Sequence, residues 1–155
     1  MNINELYQEV RKLNSYIQRI VTSSEIDYYD DMSGVDFNKN NPEEVFLFDE
    51  LYQIMEKLEE VTHTIKYLEK PIKADGTLHK NTNGRYEVQG IELSSGCGLE
   101  YLACDEYHEM YCEDIGEYKK VPYWKASRIE HDGKGYYIVG ADYEELENVR
   151  VRIRR

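Results

Sequence analysis

The chain has 155 residues, 31 of them acidic and 19 basic, for a formal net charge of −12. Its length allows one ordinary domain or two very small ones. The charge opposes nucleic-acid backbones and anionic membrane surfaces and favours basic partners, and no apolar run approaches the roughly 20 residues that span a bilayer.

The N-terminus, Met1-Asn2-Ile3-Asn4-Glu5, has no signal-peptide pattern, so the expected location is the cytoplasm. The three cysteines, Cys97, Cys104 and Cys112, are odd in number, and no disulfide framework is expected in that compartment. The chain holds 15 Tyr against 3 Phe and 1 Trp. A small core cannot hide that many phenols, so several are expected at the surface or in an interface.

Ile3, Leu6, Val10, Leu13, Ile17 and Ile20 recur at helical spacing, behind an Asn2…Glu5 capping box. Thr22-Ser23-Ser24 ends this predicted helix. A long acidic connection follows, with Tyr28, Tyr29, Asp30 and Asp31 at its centre, and loops of that length are often contact surfaces. Asn41-Pro42-Glu43-Glu44 starts a second helix, whose stripe is Phe48, Leu51, Met55, Leu58, Thr62 and Ile65, and Pro71 stops it. The two stripes match in period and predict an antiparallel hairpin whose apolar faces satisfy each other.

After Pro71 the period changes. Asp75-Gly76, Asn83-Gly84 and Asp132-Gly133 read as turns between short strands, and Ser94-Ser95-Gly96-Cys97-Gly98 as a tight loop. At the C-terminus Val149, Val151 and Ile153 alternate with Arg150, Arg152 and Arg154. The predicted fold is α+β, with a helical hairpin over residues 1–71. Residues 72–155 follow as a small antiparallel β-barrel or curled sheet of five or six strands, carrying an acidic insertion.

The stretch from about Gly76 to Arg155 resembles the DUF5348 family, domains found in Firmicutes and their mobile elements. The residues that carry the resemblance are Gly84-Arg85-Tyr86, Glu92-Leu93-Ser94-Ser95-Gly96, Arg128-Ile129-Glu130-His131, Gly135-Tyr136-Tyr137 and Val151-Arg152-Ile153-Arg154. The resemblance implies a bacterial host and a setting of phages, plasmids and integrated elements, and it assigns no activity. The segment Asp105 to Glu117 departs from the family's economy. It contains Asp105, Glu106, Glu109, Glu113, Asp114 and Glu117 with no Lys or Arg, and reads as a helical turn or an extended lobe.

Catalytic and metal chemistry finds little support in the letters. Cys97, Cys104 and Cys112 lack the close pairing of zinc ligands, even with His108 between the last two. Cys97 between glycines would need His79 or His131 as its base, and a glycine turn explains the same residues. No phosphate-binding loop is present. The expectation is a protein that is not an enzyme and uses no cofactor.

Two surfaces are left. Carboxylates and phenols alternate in Tyr28, Tyr29, Asp30 and Asp31, and again across Asp105, Glu106, Glu109, Glu113, Asp114 and Glu117. Such surfaces suit Arg- and Lys-rich grooves. The expected function is an inhibitor that binds a basic bacterial defence nuclease, an anti-CRISPR protein against a Cas9-type effector, by analogy with small acidic counter-defence proteins. The alternative is a mobile-element accessory protein that binds nucleic acid through Arg150, Arg152 and Arg154, with an aromatic such as Trp124 or Tyr136 stacking on bases. Either state of association, monomer or homodimer, fits the sequence.

Overall fold

The computed structural model describes residues 1–24, 32–105 and 108–155. The expected contact residues Tyr28, Tyr29, Asp30, Asp31 and Glu106 lie outside the described residues. The chain forms two compact units, Met1–Glu69 and Lys70–Arg155. The class is α+β, two helices followed by antiparallel sheets. Among the described residues no helix is long and apolar enough to cross a membrane.

In the first unit, α1 spans Ile3–Ser23 and α2 spans Pro42–Glu69. The capping box is formed: Asn2 Oδ1 accepts the N–H groups of Asn4 and Glu5, and the Glu5 carboxylate accepts the Asn2 N–H. Asn41 Oδ1 accepts the Glu43 N–H at 3.1 Å, so α2 starts on its own cap, with Pro42 and two acids in its first turn. Antiparallel alignment is fixed by Arg11 against Glu69 at 2.7 Å and by Lys66 Nζ donating to Gln18 Oε1 at 3.1 Å.

The expectation that the two stripes satisfy each other does not hold. The side of α1 turned to α2 is Val10, Asn14, Ile17 and Val21, while Leu6, Leu13 and Ile20 stay 47, 54 and 49 % exposed. A helical stripe wider than one packing line has two edges, and a single partner helix covers only one of them. Residues 32–37 close the other end of the hairpin, with Met32 buried against Met55 and Phe37 stacked on Phe48 at 4.1 Å.

The second unit has ten strands: β1 Ile72–Thr77, β2 His79–Lys80, β3 Tyr86–Val88, β4 Ile91–Leu93, β5 Gly98–Ala103, β6 Glu109–Cys112, β7 Glu117–Lys120, β8 Tyr123–His131, β9 Tyr136–Ile138 and β10 Arg150–Arg154. They make a five-stranded sheet in the order β1-β10-β5-β8-β9, a three-stranded sheet β2-β3-β4 and a separate ribbon β6-β7. The barrel alternative is corrected here, since β1 and β9 remain edges of an open sheet. The core is one cluster that includes Leu78, Val88, Leu93, Leu99, Ile129, Ile138, Val151 and Ile153, each at most 1 % exposed.

Alternation along β10 is as read, with Val151 and Ile153 buried between outward arginines. Asp75-Gly76 is not a turn but part of β1, opposite Arg152 and Val151. There a Cβ on Gly76 would stand 3.3 Å from Val88 Cγ2, so the glycine serves close packing rather than chain reversal. Asn83-Gly84 and Asp132-Gly133 are turns, with both glycines at positive φ.

Candidate partner-binding surface

The acidic insertion folds as the β6-β7 ribbon rather than as a helical turn. Glu109 pairs with Lys120, Met110 with Lys119, Tyr111 with Tyr118 and Cys112 with Glu117. Gly116, at φ +68°, donates its N–H to Cys112 O at 2.9 Å and closes the loop through Glu113, Asp114 and Ile115. At the root, the Val121 N–H donates to His108 O at 2.7 Å and extends the pairing by one more rung.

Cross-strand neighbours on a ribbon share a face. Tyr111 and Tyr118 therefore meet edge to face, with ring centroids 5.2 Å apart. They are nevertheless 52 and 68 % exposed, and Met110 and Ile115 are 62 and 49 % exposed. An isolated two-stranded ribbon is marginal in water, and one that shows four large apolar side chains to solvent is further penalised. The acids divide by position. Glu109 lies opposite Lys120, whereas Glu113, Asp114 and Glu117 gather at the tip, where the ribbon carries no lysine.

Asp105 has a different task. Both its carboxylate oxygens accept from the Tyr123 hydroxyl, at 3.1 and 3.0 Å, so this acid ties the entry to the insertion onto β8. Beside it Tyr101, Ala103, Cys104, Gly140, Ala141, Asp142 and Tyr143 line a shallow groove of about 250 Å³. The Tyr143 hydroxyl donates to Leu102 O, and burial, with Tyr101 and Cys104 nearby, pushes its pKa up.

The arginines of the alternative reading are held by acids of their own sheet. Arg150 Nη2 lies 2.6 Å from Asp75 Oδ1, and Arg154 Nε donates to Glu100 Oε1 at 2.7 Å. Arg152 Nε donates to the other Glu100 oxygen, and its guanidinium stacks 4.4 Å from the centroid of Trp124. Glu100 is 4 % exposed and faces Arg152 in register. Sequence reasoning passed over Glu100; the available signal was a single acid in the apolar run Leu99 to Ala103, with two arginines on the closing strand.

The Ser94 to Gly98 loop is pinned to β8. Gly96 donates its N–H to Ile129 O at 2.8 Å, and Ser95 Oγ donates to Glu130 at 2.5 Å. Bonds from Ser95 and Arg128 hold the Glu130 carboxyl below the usual carboxylate range. Cys97 packs half-buried against the core, with its Sγ 3.4 Å from Ser94 Oγ. His79 pairs with Glu147 and Thr77, while His131 meets Tyr136 edge to face and accepts the Gly133 N–H. Among the described residues no three His, Cys, Asp or Glu side chains gather as a metal ion would require.

Neither the curated proteins nor the solved structures include a match to this chain. Residues 76–153, which run from within β1 to within β10 and include the ribbon and Glu100, match the family model described as Domain of unknown function (DUF5348), and the chain belongs to that family.

Proposed function

We propose that the chain is a non-catalytic binding protein that acts in a bacterial cytoplasm and takes hold of a basic protein through the tip of the β6-β7 ribbon. The observation that carries this reading is the exposed Tyr111–Tyr118 pair set beside the carboxylates of Glu113, Asp114 and Glu117. Tyrosines supply contact area at low entropic cost and a face for guanidinium groups, and the carboxylates pair with Arg or Lys. Ile115, in the loop at the tip, would be covered by the same partner, which removes the cost of leaving it in water.

Inhibition of a defence nuclease is the form of this proposal that the mobile-element setting favours, and a Cas9-type effector is the first purified target to try. That choice rests on analogy of size and charge. No observation favours direct nucleic-acid binding, because Arg150, Arg152 and Arg154 are engaged by Asp75 and Glu100.

The test is a pull-down from Firmicute lysate with and without nuclease treatment, run side by side with wild type and with Tyr111→Ser/Tyr118→Ser. The expected result is a basic protein retained by wild type and lost with the double variant. Retention by both forms, or a catch that nuclease abolishes, sinks the proposal.

A further inference from the structure

We propose that the helical unit pairs with a second copy of itself, face to face, to build a four-helix assembly. The inference goes beyond the ribbon's proposed role and does not depend on it. It starts from residues that the hairpin leaves uncovered. On α1, Leu6, Leu13 and Ile20 are exposed and repeat every seven residues. On α2, Leu47, Ile54, Val61 and Leu68 are exposed and repeat at the same interval.

The two rows lie on one side of the hairpin. At about 100° per residue, Leu13 and Ile20 stand about a quarter turn from the line through Asn14, Ile17 and Val21 that faces α2. Val61 and Leu68 stand about a quarter turn, in the same rotational sense, from the line through Thr62 and Ile65. In an antiparallel pair, equal rotations in one sense carry both rows to the same face. Ile17 and Ile65, at 8 and 2 % exposed, form its floor.

Size and chemistry choose the occupant. With Leu51, the rows are 39–56 % exposed. They offer on the order of 700 Å² of apolar surface, above the ~300–600 Å² patch of a typical monomer and near the ~800 Å² per partner of a standard interface. No charged residue falls within either row, and Glu9, Glu43, Glu50 and Lys57 stand on the rim. A cover must therefore be apolar and helical, with a seven-residue repeat that fits the gaps between these rows. A second hairpin supplies that repeat twice.

The hairpin also has reason to need the cover. Its interior line includes Asn14 and Thr62, whose Oδ1 and Oγ1 are buried without a hydrogen-bond partner. A seam with such polar members gains little from its own two helices, and two further helices would enclose it. Charge works the other way, since each copy carries −12. Salt therefore strengthens the assembly by screening repulsion, the opposite of its effect on an acidic ribbon gripping a basic partner.

Sedimentation equilibrium on the full chain tests this. Wild type is expected at twice the chain mass at micromolar concentrations, with tighter association as sodium chloride is raised. Leu13→Glu/Val61→Glu, at two already exposed positions, is expected to weaken association at least about a hundredfold while keeping the helical circular dichroism. Tyr111→Ser/Tyr118→Ser is expected to stay dimeric. Wild type at monomer mass throughout overturns the proposal, whether the face is open or covered within its own chain. So does a Leu13→Glu/Val61→Glu protein that remains dimeric, or loss of the dimer on changing the ribbon. Should the Glu variant fail to fold, the wild-type mass and its salt dependence still decide.

Discussion

The helical unit and the β unit are of similar length, yet they dispose of their apolar residues in opposite ways. Among the described residues the β unit buries thirteen apolar side chains in one cluster, from Ala74 to Ile153. The helical unit buries Ile17, Met32, Met55 and Ile65, and leaves both helices with rows of exposed Leu, Ile and Val. Full burial of one such side chain contributes about 1.5–3 kcal/mol. The β unit therefore closes a core of its own, whereas the helical unit leaves apolar rows that the proposed second copy would cover. Within the β unit the same contrast recurs on a smaller scale, because Met110, Tyr111, Ile115 and Tyr118 of the ribbon stand outside the core.

The largest expected effect comes from cutting into the core of the β unit. Ile129 is 0 % exposed at the centre of the cluster. Ile129→Ala should lower the stability of the β unit by about 2–5 kcal/mol, through lost transfer energy and the cavity left behind. Trp124, the single tryptophan, lies on β8 and reports that unit alone in a urea titration followed by fluorescence. Leu13→Ala, at a 54 % exposed site, should move the same transition by less than about 0.5 kcal/mol. Equal effects from the two changes would erase the difference between the units.

A smaller loss is expected at the charged cluster on the outer side of the same sheet. Removing Glu100 takes away the carboxylate that Arg152 and Arg154 share, and their side chains are only 19 and 15 % exposed. A fully buried pair broken in this way loses about 3–5 kcal/mol, and partial exposure of the arginines brings Glu100→Ala nearer about 2–3 kcal/mol. Asp75→Ala breaks a pair that is 50 and 43 % exposed and should cost less than about 1 kcal/mol. If the Asp75 change proved the larger, the β10 arginines would owe their placement to the edge strand and not to Glu100. Fluorescence of Trp124 should shift in Glu100→Ala, because Arg152 stacks on its ring.

These contrasts also mark what could be read from the letters. Helix limits were legible because caps and punctuation are local: Asn2 with Glu5, Asn41 with Pro42, Ser23 with Ser24. Which edge of each stripe is covered was not legible. The spacing of Leu6, Leu13 and Ile20 states only that these residues are apolar on one side, and their burial depends on where a second helix lies. The open five-stranded sheet was hidden for a similar reason, because strands of three residues such as β3, β4 and β9 specify no neighbour. Gly76 looked like a turn since glycine serves both reversal and close approach, and only Val88, twelve residues on, separates the two. At the candidate surface the acids and tyrosines of the insertion were visible, but Lys119 and Lys120 fold back opposite Met110 and Glu109. The acidic character is thereby confined to the tip. Glu100 escaped because its partners are 52 and 54 residues away.

The smallest effect, and the most diffuse, is expected from protons. Four carboxylates of the β unit have lowered pKa values, each through hydrogen bonds that hold a turn or a strand end. Glu92 is held by Arg85 and Asn81, Glu130 by Ser95 and Arg128, Asp132 by the N–H groups of Gly135 and Lys134, and Glu147 by His79 and the Lys80 N–H. A carboxylate that binds its proton less tightly when folded stabilises the fold at every pH above its unfolded value, about 4. That contribution is lost as pH falls through the lower folded value. The Trp124 transition should therefore hold its midpoint from neutrality to about pH 5 and weaken below about pH 4. Tyr86 and Tyr143 act at the other limit. Burial raises both phenols, so their contribution is complete below the unfolded value near 10 and fades as pH climbs past it. Association of the helical unit should follow a different course. The proposed rows hold none of these four carboxylates, so association should persist while the β unit begins to loosen. A dimer that weakens in step with the Trp124 transition would instead place its seam in the β unit and end the division of roles between the two halves.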